Sequence, residues 1–388
     1  MMQLKTLKSL YNAFNERHLF GRYIHAKSIE PLMRNLSEIF KIDSIGKSVN
    51  NENIFSIVAG NGKKKILLWS QMHGNESTTT KALFDILNIL SDSNEFSGTI
   101  LSSCTLMIIP ILNPDGAAAY TRFNSNGIDL NRDAQNLSQP ESNVLRKCFD
   151  DFKPDYCLNL HGQRTIFSTD KSNNPATVSF LAPSQDSNCS ITANRKIAME
   201  IINVMNTVLQ KQIPNQVGIY DDAFNINCVG DEFQSKNVPT ILFEAGHFKN
   251  DYKREQTREY MFQSLFTALH YISVNNISGN HYKSYFEIPK NEKYFFDIII
   301  RNALVKVENK EQHLDIGILY SEKLIGNAIE FIPIVDKISN LNEYFGHKEI
   351  NANYNKVLSS DFGKLKIGYE NDFVLINNRE FSLKLKNT

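Results

Sequence analysis

A chain of 388 residues, 41% hydrophobic and 22% charged, is long enough for one large domain plus a smaller one and apolar enough to bury a sizeable core. Lys plus Arg balance Asp plus Glu at 42 each, so no net field draws in nucleic acid or an anionic membrane surface, and neither partner is expected. Five cysteines (Cys104, Cys148, Cys157, Cys189, Cys228), odd in number and without C-x-x-C spacing, read as reduced thiols and not as a disulfide framework or a metal site.

The first residues, "MMQLKTLKSLYNAFNERHLFGRYIHAK", mix charged and apolar positions and lack the uninterrupted apolar stretch of a signal peptide. No apolar run approaches the ~20 residues of a membrane span, so a soluble, cytoplasmic chain is expected. Residues 1–50 read as a helical segment packed on the domain that follows.

From about 52 to 273 short apolar strands alternate with amphipathic helices, the pattern of an α/β fold on a largely parallel sheet. "KKKILLWS" is a strand, and "STTTKALFDILNIL" a helix capped by Ser77 or Thr78. "CTLMIIPI" is the next strand. Residues 113–139, rich in Gly, Asn, Pro and Asp, form a long loop opened by a turn at Asn113, Pro114, Asp115 and Gly116. "PESNVLRKCFDDF" is a helix, "DYCLNL" and "VSFLAP" are strands, and a long helix covers about 192–212. The strand "VPTILF" and a helix at about 251–273 close this region. After about 280 the texture changes to β-rich runs such as "FFDIIIRNALVKV" and "HLDIGILYS", separated by Asn, Gly and Lys. Three parts are expected: 1–50, a catalytic domain at 51–279, and a small β-rich domain at 280–388.

"QMHGNESTTT" places His73 and Glu76 three apart between the end of a strand and the start of a helix, where open α/β sheets bind ligands. Alone the pair is weak; a turn histidine beside a first-turn glutamate looks the same. A zinc site with open coordination needs a third protein ligand. "LNLHGQR" supplies His161 at another strand end, and His247 in "FEAGHF" is the rival. Hydrolysis by activated water needs a carboxylate base that is not a ligand, and Glu244 ends the strand "VPTILFE" at the same sheet edge. Arg122, Asn131 and Arg132 in the long loop are donors suited to holding a carboxylate.

Together "HGNE", "NPDG", "RFNSNGIDLNR", His161 and "IYDDAF…TILFEAGH" resemble the zinc carboxypeptidases of the M14 family over residues 52 to about 273. The resemblance implies an α/β/α sandwich on a mixed, largely parallel sheet, and one Zn2+ per chain held by His73, Glu76 and His161. It further implies Glu244 as general base and acid, Arg122 polarising the scissile carbonyl, Asn131 and Arg132 holding the substrate's terminal carboxylate, and Tyr220 closing over the bound residue. The expected activity is removal of C-terminal amino acids from peptides. "HGNE" and "DLNR" also occur in the related aspartoacylase and succinylglutamate desuccinylase group, whose β-rich C-terminal region matches residues 280–388 and whose substrates are N-acyl amino acids. A non-catalytic module that binds C-terminal carboxylates is a third reading. Among Asp221, Asp222, Asp231 and Glu232, a carboxylate lining the side-chain pocket would favour C-terminal Lys or Arg; a solvated acidic loop is the alternative. Oligomeric state is left open.

Overall fold

The computed structural model describes residues 3–308 and 310–385. Its contacts divide the chain into two units. One runs through Gln163 and resumes at Ala176–Asn291; the other comprises Arg164–Pro175 and the chain from Glu292 onward.

The first unit carries helices α1 (Leu4–Phe14), α2 (Ala26–Arg34), α3 (Thr78–Ser91), α4 (Glu95–Ser103), α5 (Pro114–Ala119), α6 (Pro140–Phe152), α7 (Ala193–Leu209), α8 (Val229–Ser235) and α9 (Glu255–Val274). Its strands are β1 (Lys41–Lys47), β2 (Asn53–Ala59), β3 (Lys64–Ser70), β4 (Cys104–Ile109), β5 (Tyr156–Gly162), β6 (Val178–Leu181), β7 (Val217–Ile219) and β8 (Thr240–Ala245). They form one eight-stranded sheet in the order β1-β2-β4-β3-β5-β8-β6-β7. The central run β4-β3-β5-β8 is parallel, whereas β1-β2, β2-β4 and β8-β6 pair antiparallel.

Side chains alternate across a strand, so each central strand feeds two cores. Ile66, Leu68, Leu106, Ile108, Leu158, Leu160 and Phe243 pack with α3, α7 and α9 on one face. Leu67, Trp69, Ile109 and Cys157 face the other way, against Leu145 and Phe149 of α6 and Phe233 of α8. The unit is therefore the three-layer α/β/α sandwich that the resemblance implies, built on the alternation of strands and helices read from the sequence. Among the described residues no helix is long and apolar enough to cross a membrane.

The second unit is β-rich. Strands β9 (Phe295–Val307), β10 (Lys310–Ile325), β11 (Ala328–Ser339) and β12 (Phe345–Asn351) pair in the order β11-β10-β9-β12. Strands β13 (Val357–Leu358), β14 (Phe373–Ile376) and β15 (Arg379–Ser382) make a small second sheet. Ile298, Ile300, Ile316, Ile318, Val335 and Val374 form its own core.

The structure corrects the reading of the sequence in several places. Lys41–Lys47 is a strand inside the stretch read as helical; "KIDSIGK" is mostly exposed at the edge of the sheet, so it carries no apolar run to announce it. "NPDG" is the start of helix α5 and not only a turn, because the Asn113 side chain caps the Gly116 N–H and Pro114 occupies the first helical turn. Residues 280–291 group with the first unit, where Tyr285 and Ile288 join the larger core, and 164–175 group with the second.

Candidate metal centre

Strand β3 ends at Ser70, and Gln71 turns the chain through the left-handed region at φ 44°. Its side chain fixes the turn: Nε2 donates to Ile24 O (2.9 Å) and Gly74 O (2.8 Å), and Oε1 accepts from the Thr80 hydroxyl (2.8 Å). Gly74 is required by close approach, since a Cβ there would sit 1.9 Å from the carbonyl carbon of Gly116. The Ser77 hydroxyl donates to Arg22 O at 2.6 Å, so the N-terminal segment braces the same loop.

This bend presents His73 and Glu76 to His161 on β5. The Nδ1 atoms of His73 and His161 lie 3.1 Å apart, and each is 2.9 Å from one Glu76 carboxylate oxygen. Both imidazoles are 2% exposed or less, and Glu76 Oε2 also accepts the Gly162 N–H at 2.9 Å. The three residues are the group of metal-type donors found among the described residues. Two Nδ1 atoms facing each other cannot both donate, which suits a cation between them. The spacing is close to the ~3.3 Å edge of a tetrahedron built on Zn–N and Zn–O bonds, so the donor set fits zinc.

Electrostatics agree with the geometry. Burial opposes charge on Glu76, but the His73 charge and the His161 hydrogen bond outweigh it and hold the carboxyl below its usual range. Burial likewise pushes His73 down, and Glu76 and Asp129 together pull it back above its ordinary value; His161 stays below, with burial dominant.

Asp129, which the sequence reading passed over inside "NGIDLNR", organises the arrangement. Its Oδ1 lies 3.0 Å from His73 Nε2 and accepts the Asn131 N–H at 2.9 Å. Its Oδ2 accepts from Arg122 Nε (3.1 Å) and Nη2 (3.0 Å). The guanidinium, about two-fifths exposed, thereby aims Nη1 at Glu76 Oε1, 3.5 Å away.

Strand register brings the remaining carboxylate in. His161 on β5 stands opposite Glu244 on β8. Oε2 of Glu244 is buried without a hydrogen-bond partner, and burial followed by the charge of Glu76 holds its carboxyl well above the usual range. The phenol of Tyr220 lies where Glu244, Glu76 and Arg122 all act on it, and it shares a hydrogen bond with Asn291. Burial is the main cause that raises its pKa.

The other assignments divide. Asn131 Oδ1 accepts the Val229 N–H at 3.0 Å, leaving its NH2 to donate. Arg132 is exposed and donates to Asn131 O (2.7 Å) and to Cys228 Sγ (3.1 Å). His247 is outside the donor group; its ring packs on Tyr252 with centroids 4.6 Å apart. Asp222 pairs with Arg195, and Glu232 pairs with Arg146 and Lys236. Asp231 and Glu232 are buried in the first turn of α8, so those two are not a solvated loop.

The zinc carboxypeptidase family model matches residues 26–223, just over half of the chain. Carboxypeptidase SOL1 of Arabidopsis thaliana is 28% identical over 155 residues, which is 35% of this chain and 32% of the relative. Carboxypeptidase 2 of Trichophyton rubrum is 25% identical over 108 residues, 27% of this chain and 20% of the relative. The match thus spans a fifth to a third of the length of these curated relatives. Two solved structures share the fold. A metallo-carboxypeptidase from Burkholderia cenocepacia aligns with TM-score 0.52 and 14% identity over 64% of this chain and 69% of that one. A protein assigned as carboxypeptidase A in Shewanella denitrificans aligns with TM-score 0.53 and 17% identity over 62% and 66%. With a family model that covers more than half of its length, the chain belongs to the zinc carboxypeptidase family.

Proposed function

We propose that this chain is a zinc-dependent hydrolase that removes C-terminal residues from peptides. The observation that carries the reading is the convergence of His73, Glu76 and His161 within 4.8 Å of one another, with Glu244 in register beside His161 on the next strand. In this reading the three converging side chains hold the ion. Zinc bound there supplies a Lewis acid that polarises a carbonyl and lowers the pKa of water.

The chain's own groups do the rest. Glu244, whose Oε2 is unpartnered and whose carboxylate is held above its usual range, takes a proton from the attacking water and passes it to the leaving amine. Asp129 keeps the His73 ring in place and aims Arg122, which stabilises negative charge developing on the scissile carbonyl oxygen. The Asn131 NH2 and the exposed Arg132 receive the substrate's terminal carboxylate by charge-assisted hydrogen bonds. Tyr220 covers the bound residue.

The β-rich second unit is the feature that keeps N-acyl amino acids in the test. The zinc-loaded protein is incubated with a mixed peptide pool and with N-acyl amino acids, and products are read by mass spectrometry. Sequential loss of C-terminal residues is expected. Deacylation of the small substrates alone would replace the peptidase reading, and a protein that takes up no zinc and releases nothing would leave a carboxylate-binding module. Peptides ending in Lys, Phe and Glu in the same pool test side-chain preference; equal release would remove any basic specificity.

A further inference from the structure

Three times the backbone passes between the two units: after Gln163, before Ala176 and after Asn291. All three crossing points are tied into one hydrogen-bond network within the first unit. Asn291 Nδ2 donates to Gln163 Oε1 at 2.8 Å, and Gln163 Nε2 donates to Ala176 O at 2.7 Å and to Ser179 Oγ at 3.1 Å. The Ser179 hydroxyl closes the ring by donating to Asn291 Oδ1 at 3.0 Å.

The segment that delivers Asn291 runs along β7. Ile219 N donates to Pro289 O at 2.9 Å, and Lys290 bridges Ile219 in parallel, so Asn291 arrives beside the residue that follows β7, which is Tyr220. Gly218 keeps this approach open; a Cβ there would meet Asn291 Oδ1 at 3.1 Å and Ser179 Oγ at 3.3 Å. Asn291 then bonds the Tyr220 phenol, which lies near Glu244 and Glu76.

We infer that Asn291 is a positioning residue: it holds the Tyr220 ring over the candidate centre before substrate arrives, so that the covering group is preset and not recruited by the ligand. The inference rests on the peptidase reading for its kinetic consequence, but the placement of the ring does not. A side chain held in its bound position in advance loses less freedom on binding, so the gain falls on affinity and not on the chemical step.

The test uses the full-length zinc-loaded protein and the Asn291→Ala variant. 3-Fluorotyrosine placed at position 220 gives a 19F resonance that reports the ring's surroundings whether or not the protein turns over. We expect a single buried-type resonance in the parent and a shift towards the solvent-exposed tyrosine position in Asn291→Ala. On an N-blocked dipeptide, KM should rise about 5- to 10-fold, the loss of one hydrogen bond, with kcat within about twofold and zinc content unchanged. Tyr220→Phe combined with Asn291→Ala should lose no more than Tyr220→Phe alone. If alanine does not fold, Asn291→Ser, which keeps a polar partner for Ser179, takes its place. The proposal is overturned by an unmoved 19F resonance, by additive losses in the double variant, or by a fall in kcat and zinc content that accompanies the rise in KM. A parent that hydrolyses no peptide sinks the peptidase reading instead, and the 19F comparison still decides the placement.

Discussion

Asp129 binds three groups with two oxygens, and each of them matters to the candidate centre: the His73 ring, the Arg122 guanidinium and the Asn131 backbone. Replacing one oxygen by an amide in Asp129→Asn should weaken zinc affinity by roughly 10- to 100-fold, measured by titration against a competing chelator, because the ring loses the carboxylate that orients it. Glu244→Gln keeps the shape of the side chain and should retain zinc while turnover falls by about 10²- to 10⁴-fold. His161→Ala removes a donor from the cluster and should lose zinc and turnover together; a Glu244→Gln protein with parental turnover would refute the base assignment. His73, Glu76 and His161, which the fold brings together, and Glu244 beside them could be picked out as candidates because each lies at or just beyond the end of an apolar strand, a position that sequence reveals directly. Asp129 was not. It lies in a loop with no periodicity, and its importance comes from residues 56 and 7 positions away that only the fold assembles. Asn291 is more distant still, meeting partners on three separate segments.

Helices α3 and α9 are joined by a buried ion pair, Arg258 with Asp85, at 2.6 Å. Each partner also grips the N-terminal segment: Asp85 Oδ1 accepts the Glu16 N–H, and the Arg258 guanidinium donates to Glu16 O and Leu19 O. Asp85→Ala removes the bidentate carboxylate from a buried guanidinium and leaves it Glu255, at 3.2 Å, as carboxylate partner, a loss of about 3 kcal/mol. Denaturant titration should show that drop, with faster proteolytic cutting near residues 16–22. At the start of α8, burial pushes the Asp231 carboxyl up to about 6. An unfolded aspartate titrates near 3.9, so between about pH 4 and 6 the folded chain binds the extra proton. Stability from this group is therefore complete below about pH 4 and lost as pH rises through about 6, a change of about 3 kcal/mol. Asp231→Asn should abolish that slope in melting temperature across the same window. At this scale the sequence spoke clearly where apolar residues recur at helical spacing, as in α3 and α7. It was silent where polar edge residues carry a strand, as in β1, or where a side-chain cap and a proline start a helix in a six-residue stretch, as in α5.

The molecule as a whole has separate cores: the sandwich buries its two faces around the eight-stranded sheet, while Ile298, Ile316, Val335 and Val374 are buried among residues of the second unit. Zinc that binds only the folded sandwich stabilises it by mass action, about 2.7 kcal/mol at a hundredfold excess over Kd. Calorimetry with and without a chelator should move the transition of the sandwich and leave that of the β-rich unit in place; equal shifts in both would contradict a site confined to the first unit. The change in texture after residue 280 made a β-rich region readable from composition. What composition does not carry is that Arg164–Pro175 leaves the sandwich to join it. There Ile166 O accepts the Phe295 N–H at 3.1 Å, and Thr165 O lies 2.8 Å from His347 Nε2. Because the β-rich unit is assembled from two stretches, a stop codon after Asn291 would not prune it cleanly: the excursion would stay behind with its carbonyls stripped of these partners. Isolating the sandwich calls for two cuts, one of which must splice Gln163 to Ala176 with a short bridge two residues past His161.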